Sequence, residues 1–177
     1  MLSKRAVNAL LGYKPVNSRI IVARFRGQLL NLSIIQIYAD SEEEELEEFY
    51  EKLKSTLKEL QKKDIRIIIG DFNAKIGKDN TRWKDIMQRR DYGERNERGE
   101  RLLEFAAKHN ILICNTKFQL KDCRKYTWTL PDGKYTNMIV LILIGKRWKT
   151  SGRLCRSFQG ADNPRTIAWC CAICRYG

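Results

Sequence analysis

Residues 64–73 read Asp-Ile-Arg-Ile-Ile-Ile-Gly-Asp-Phe-Asn, and no other stretch of the chain limits its fold so tightly. Ile65, Ile67, Ile68 and Ile69 are β-branched and nearly consecutive, which predicts a short strand buried on both faces. Gly70 then precedes two short polar side chains, Asp71 and Asn73. A buried strand that ends this way delivers them at its C-terminal end, where α/β folds build their sites. Asp71 can hold a divalent cation or orient a water. Asn73 can hydrogen-bond a phosphate or fix the carboxylate. Together they point to metal-assisted phosphodiester chemistry. The same two residues would also suit a plain turn after a strand.

The flanking sequence supplies the rest of an α/β or α+β domain with a mixed sheet. Residues 19–25 and 29–38 are strand-like, and Arg26-Gly27-Gln28 predicts a hairpin between them. Ser41 and Glu44 form a capping-box pattern. Behind it, Leu46, Phe49, Tyr50, Leu53, Leu57 and Leu60 recur at helical spacing, so one helix face packs on a sheet. Seven of the 21 acidic residues lie between Glu42 and Glu51. They suit the positive end of that helix and its solvated face better than a metal cluster. A second helix is expected over 97–109, burying Leu102, Leu103, Phe105 and Ala106, with His109 at its end. Short strands are expected at 111–113, 126–129 and 138–143, with a turn at Pro131-Asp132-Gly133. From residue 161 onward no period is visible. The expected division is a domain over 1–160 and a divergent tail over 161–177.

Charge narrows the partners. The net charge is +13, which favours a polyanion. Arg82 and Trp83 lie in one basic and aromatic stretch, and Lys146, Arg147 and Trp148 in another. Both suit phosphate contacts, and both also suit a solvated surface. The longest apolar run, 138–144, is too short to span a bilayer, so the expectation is an intracellular protein without a membrane partner. The six cysteines show no disulfide framework. Cys171-x-x-Cys174 lacks two further zinc ligands at sensible spacing.

Residues 70–77, Gly-Asp-Phe-Asn-Ala-Lys-Ile-Gly, resemble the Gly-Asp-[Phe/Trp]-Asn motif of the endonuclease/exonuclease/phosphatase superfamily. Within it, the chain resembles the endonucleases of RTE-type non-LTR retrotransposons. Further segments carry the resemblance: 17–25, 35–39, 96–103, 126–133 and 144–148. It spans residues 2 to about 162. It implies a four-layer α/β sandwich and Mg²⁺-dependent cleavage of DNA, for which nuclear residence would be suitable. It also implies site roles for Asp71, as catalyst and metal ligand, and for Asn73 and Tyr38. Thr127 and Trp128 match a segment flanking the DNA-binding face, with Arg82, Lys146 and Arg147 as further nucleic-acid contacts.

The chain departs from the family pattern at several places. Tyr38 is followed by Ala39-Asp40, without the family's proline. Where the family has Ile-Asp-Tyr-Ile, this chain has Ile139-Val140-Leu141-Ile142, so Val140 occupies an active-site Asp position. Asn163-Pro164-Arg165 stands where Ser-Asp-His is expected, and no histidine follows His109. The family's first strands, with the metal-binding Glu, would precede Met1. The expectation is a sandwich lacking those strands and the terminal motif, and an endonuclease impaired or inactive in catalysis. The alternative is a non-catalytic nucleic-acid-binding remnant. A phosphatase role within the superfamily fits the resemblance less well.

Overall fold

The computed structural model describes residues 3–39, 46–88, 93–117 and 140–150, and the backbone alone of strands at 128–129, 136–137, 152–159 and 167–173. A short helix, α1 (Lys4–Ala9), leads into β1 (Leu10–Pro15), β2 (Ile20–Phe25) and β3 (Leu32–Tyr38). Helix α2 (Leu46–Glu59) crosses over to β4 (Ile65–Asp71), and α3 (Glu97–Lys108) leads into β5 (Ile111–Ile113). Two-residue strands β6 (Trp128–Thr129) and β7 (Thr136–Asn137) pair with each other and precede β8 (Val140–Gly145). One six-stranded sheet has the order β1-β2-β3-β4-β8-β5. All its pairs are antiparallel except β3 with β4. Strands β3 and β4 run the same way, so they need a crossover, and α2 provides it.

The alternation of side chains along each strand separates two faces. Ile20, Ile35, Ile37, Ile68, Leu141 and Leu143 belong to the main core cluster, together with Phe49, Tyr50, Leu53 and Leu57 of α2 and Leu102, Leu103, Phe105 and Ala106 of α3. The helical periodicity in the sequence therefore identifies the buried stripes correctly. On the other face Ile65, Ile67, Ile142 and Ile144 form a second cluster with Cys114, and Trp148 packs against it. Burial on both sides explains the isoleucine run of β4. Toward β1 this second face opens, and Tyr13 and Ile21 are exposed.

The hairpin between β2 and β3 is present, with Ile20 opposite Ile37 and Phe25 opposite Leu32. Its loop is wider than the sequence predicts, since β2 ends at Phe25 and β3 begins only at Leu32, and within it Gly27 lies too close to the Leu30 carbonyl for a Cβ. The proposed cap at Ser41 and Glu44, the turn at 131–133 and Thr127 lie outside the described residues. The tail differs from expectation. Strands β9 (Gly152–Gln159) and β10 (Ile167–Ile173) pair antiparallel, with Cys155 opposite Cys171. The pairing partner of β10 lies before residue 161, so a period sought only within the tail misses it.

Candidate active site

The end of β4 is shaped by close backbone approach. Gly70 has φ +150°, and a Cβ there would sit 1.9 Å from the carbonyl oxygen of Ile37 on β3. Only glycine fits that combination. One residue on, the Ala39 N–H donates to the Asp71 carbonyl at 2.7 Å. The Asp71 carboxylate accepts the Asn73 N–H at 2.8 Å, closing an Asx turn. Asn73 adopts a left-handed conformation at φ +46°, which Asn tolerates better than most residues. Its side-chain amide donates to the Ala39 carbonyl at 2.7 Å. Phe72 points inward and is fully buried.

The loop that follows is held by the start of α3. Asn96 caps that helix by accepting the Gly99 N–H at 2.9 Å, and the same oxygen accepts the Lys75 N–H at 3.0 Å. Gly99 lies so close to Lys75 that a Cβ would be 1.8 Å from its carbonyl oxygen. Arg95 donates to the Ile76 carbonyl at 2.9 Å and pairs with Glu100 at 2.9 Å. These contacts give the segment Asn96-Glu97-Arg98-Gly99 a structural task, because it fixes the exit from the Asp71 turn.

The structure brings together three of the residues singled out from sequence. Tyr38 is the register partner of Asp71 on β3, and Asn73 bonds the residue after Tyr38. Tyr38 is 57% exposed, so its ring faces solvent rather than the core. Burial raises the Asp71 carboxyl above the usual carboxylate range, and the Asn73 N–H opposes part of that effect. On the other flank of Asp71 stands Val140, its register partner on β8. Register partners on adjacent strands share a face, so a methyl pair lies beside the carboxylate. Asn115 holds the start of β8 in place. Its amide donates to the Val140 carbonyl at 3.2 Å and its oxygen accepts the Ile142 N–H at 2.7 Å. Sequence reasoning missed Asn115. Its one signal is a polar residue shortly after the buried strand β5.

The basic residues are not gathered at this end. Strand β8 runs antiparallel to β4, so Lys146 and Arg147, which follow it, lie at the far end of the sheet. The Lys146 N–H donates to the Asn110 carbonyl at 2.8 Å, and Arg147 stacks 5.0 Å over Trp148. Arg82 stacks 5.6 Å over Trp83 and lies 3.7 Å from Glu100 in the first turn of α3. Trp128 is described only by its backbone in β6.

The donors near Asp71 fit a resident Mg²⁺ poorly. Among the described residues no three His, Cys, Asp or Glu side chains converge on a possible metal position. Asp71 is one carboxylate, and one of its oxygens already accepts the Asn73 N–H. Mg²⁺ asks for near-octahedral oxygen coordination, which a single carboxylate and neutral neighbours meet weakly.

Residues 32–148 match the family model described as endonuclease-reverse transcriptase. The chain belongs to this family. Similar curated proteins include craniofacial development protein 2 of Bos taurus, 41% identical over 165 residues, and that of Tragulus javanicus, 39% identical over 165 residues. Each alignment covers 92% of this chain and 28% of the relative, so the chain spans just over a quarter of those proteins. Among solved structures, the endonuclease domain of TRAS1, a telomere-specific non-LTR retrotransposon, superposes with a TM-score of 0.66 at 14% identity, covering 95% of this chain and 70% of that one. The 3′ phosphatase NExo from Neisseria, bound to product DNA hairpin, gives 0.64 at 13% identity, covering 94% and 72%. At such identities the likeness establishes the fold: the α/β sandwich of endonucleases, exonucleases and phosphatases. The family match and the curated relatives bear out the resemblance seen in the sequence.

Proposed function

We propose that this chain derives from a Mg²⁺-dependent DNA endonuclease of a non-LTR retrotransposon and has little or no catalytic activity of its own. The observation that carries the reading is the register pair of Asp71 and Val140. The motif carboxylate is retained at the end of β4, while an apolar side chain stands beside it where the family resemblance expects a second Asp.

In this reading Asp71 is the remaining ligand for a cation and the remaining group that could orient water. Asn73 fixes the turn that presents Asp71, and exposed Tyr38 borders the place where a phosphate would lie. The sole histidine, His109, caps α3 at the other end of the sheet and contributes nothing here. Losing one positioned acid-base group typically costs about 10²- to 10⁴-fold in rate. Losses within one catalytic unit do not simply add.

DNA is the proposed partner. The net charge of +13 and the stacked pairs Arg82–Trp83 and Arg147–Trp148 support it. The same features favour the second reading, a binding module without catalysis. Thr127 and Trp128 remain proposed contacts, and residues 161–177 a proposed tail outside the domain. Nuclear residence would follow from DNA as partner.

The test is nicking of supercoiled plasmid by purified, monodisperse protein with and without Mg²⁺, beside Asp71→Ala. The expected result is no metal-dependent nicking from folded protein. Nicking that requires Mg²⁺ and is abolished in Asp71→Ala would overturn the impaired-enzyme reading. DNA affinity measured against salt addresses the binding module. An affinity that falls steeply with salt supports it, and no measurable binding removes it.

A further inference from the structure

A cavity of about 390 Å³ opens at the end of the sheet opposite Asp71. Its volume is in the range of small-molecule sites. Arg66 lies five residues before Asp71 on β4, which sets the two openings roughly 17 Å apart at about 3.3 Å per residue. The floor is apolar, with Leu60 of the α2 exit and Leu143 of β8 among its residues. The rim is basic: Lys58, Lys62, Arg66 and His109 all line it, and no carboxylate does. Among the described residues no ion pair engages Lys58, Lys62 or Arg66, while Lys14 and Lys54 on neighbouring surfaces are paired with Glu59 and Glu51.

His109 sits at the junction of floor and rim. Its ring centroid is 4.5 Å from that of Phe105, which places it against the core. Burial and the charges of Lys108, Lys54 and Lys58 press it toward the neutral form, and Glu51 opposes them only in part. An anion seated beside Lys58 would counter the lysine charges that add to the effect of burial.

We propose that this cavity is a binding site for an organic phosphate, whose dianionic head meets Arg66, Lys62 and Lys58 and whose compact apolar body rests on Leu60 and Leu143. Arg66 supplies the planar fork that suits phosphate oxygens, and the two lysines supply point charges. The apolar floor distinguishes the site from a bare phosphate patch, since a free anion gains nothing from it. A short alkyl phosphate and a nucleoside monophosphate share this chemistry.

His109 is the only histidine in the chain, so its ring protons give a single resolved NMR reporter inside the site. The experiment titrates the full chain with hexyl phosphate, thymidine 5′-phosphate, inorganic phosphate and hexanol. The expected result is a saturable His109 shift with one of the two phosphate monoesters at a Kd below about 1 mM. Inorganic phosphate should bind at least about tenfold more weakly, and hexanol should not saturate. The tighter monoester identifies the source, alkyl or nucleoside. Bound phosphate should also move the His109 titration upward in pH. The Lys58→Gln/Lys62→Gln pair changes only exposed side chains and should weaken binding about tenfold or more. Arg66→Gln should do the same. The site is refuted by no saturable shift with either monoester, by equal affinity for inorganic phosphate, by saturation with hexanol, or by unchanged affinity in both variants.

Discussion

Asp71 and Val140 stand opposite one another across the antiparallel ladder of β4 and β8, a carboxylate facing two methyl groups. Replacing the methyls by a second carboxylate tests how the two positions communicate. In Val140→Asp the like charges directly oppose, which should cost about 1 kcal/mol at pH 7. Each carboxylate raises the pKa of the other, so the folded state gains protons as pH falls and the penalty shrinks toward pH 4. Mg²⁺ should offset the penalty at pH 7. Urea unfolding at both pH values, with and without Mg²⁺, checks this. A penalty that ignores pH and metal would mean that the two side chains do not face each other.

Asp71 itself should be a source of pH-dependent instability. Burial raises its pKa in the folded protein. Its contribution to stability is therefore fully present below the unfolded carboxylate value and is lost as pH rises through the folded one. Asp71→Asn removes the charge and keeps an oxygen for the Asn73 N–H. The variant should be more stable than the parent at pH 7, and the difference should vanish below about pH 4. Thermal unfolding across pH 4–8 reads this directly. A variant less stable at pH 7 would contradict the burial argument.

Gly70 should tolerate no side chain. A Cβ there meets the Ile37 carbonyl at 1.9 Å in a conformation disfavoured for L-residues. Gly70→Ala should cost at least about 4 kcal/mol, enough to prevent isolation of folded protein. Gly12→Ala on β1 has nothing within 4 Å of the added Cβ and should change stability by less than about 1 kcal/mol. Soluble yield and circular dichroism of the two variants separate a local clash from a general intolerance of change.

Leu53 on α2 is 0% exposed and belongs to the main core cluster. Leu53→Ala should lower stability by about 3 kcal/mol. For a chain of this size that is a fall in Tm of roughly 6–12 °C. A change under about 1 kcal/mol would indicate that α2 is not docked on the sheet.

The elements legible in sequence are those with a local cause. Strand β4 announces itself through consecutive β-branched residues, and α2 and α3 through apolar residues at helical spacing. The pairing of Tyr38 with Asp71 follows from a crossover between parallel strands, and strand-end positions suggest it. Other features depend on partners distant in the chain. β10 shows no signal in isolation because β9 supplies its pairing. Asn115 bridges to Val140 and Ile142, 25 and 27 residues later, so its place just after β5 hints at a polar role without naming its partners. Lys146 and Arg147 are legible as candidate phosphate contacts by charge, but only the antiparallel course of β8 shows that they lie at the end of the sheet opposite Asp71.

The turn at 70–73 has a consequence beyond this chain. Gly70 is required by the nearness of Ile37, Phe72 by the core, and Asn73 by a left-handed backbone and the Ala39 carbonyl. Asp71 closes the turn whether or not it ever meets a metal. Gly70, Phe72 and Asn73 are therefore required by folding alone, and the oxygen at position 71 is required only as an acceptor for the turn. A copy that has shed its reaction can go on spelling most of the signature for as long as it must fold, so the spelling records scaffold, and a census that counts such signatures counts scaffolds rather than working nucleases.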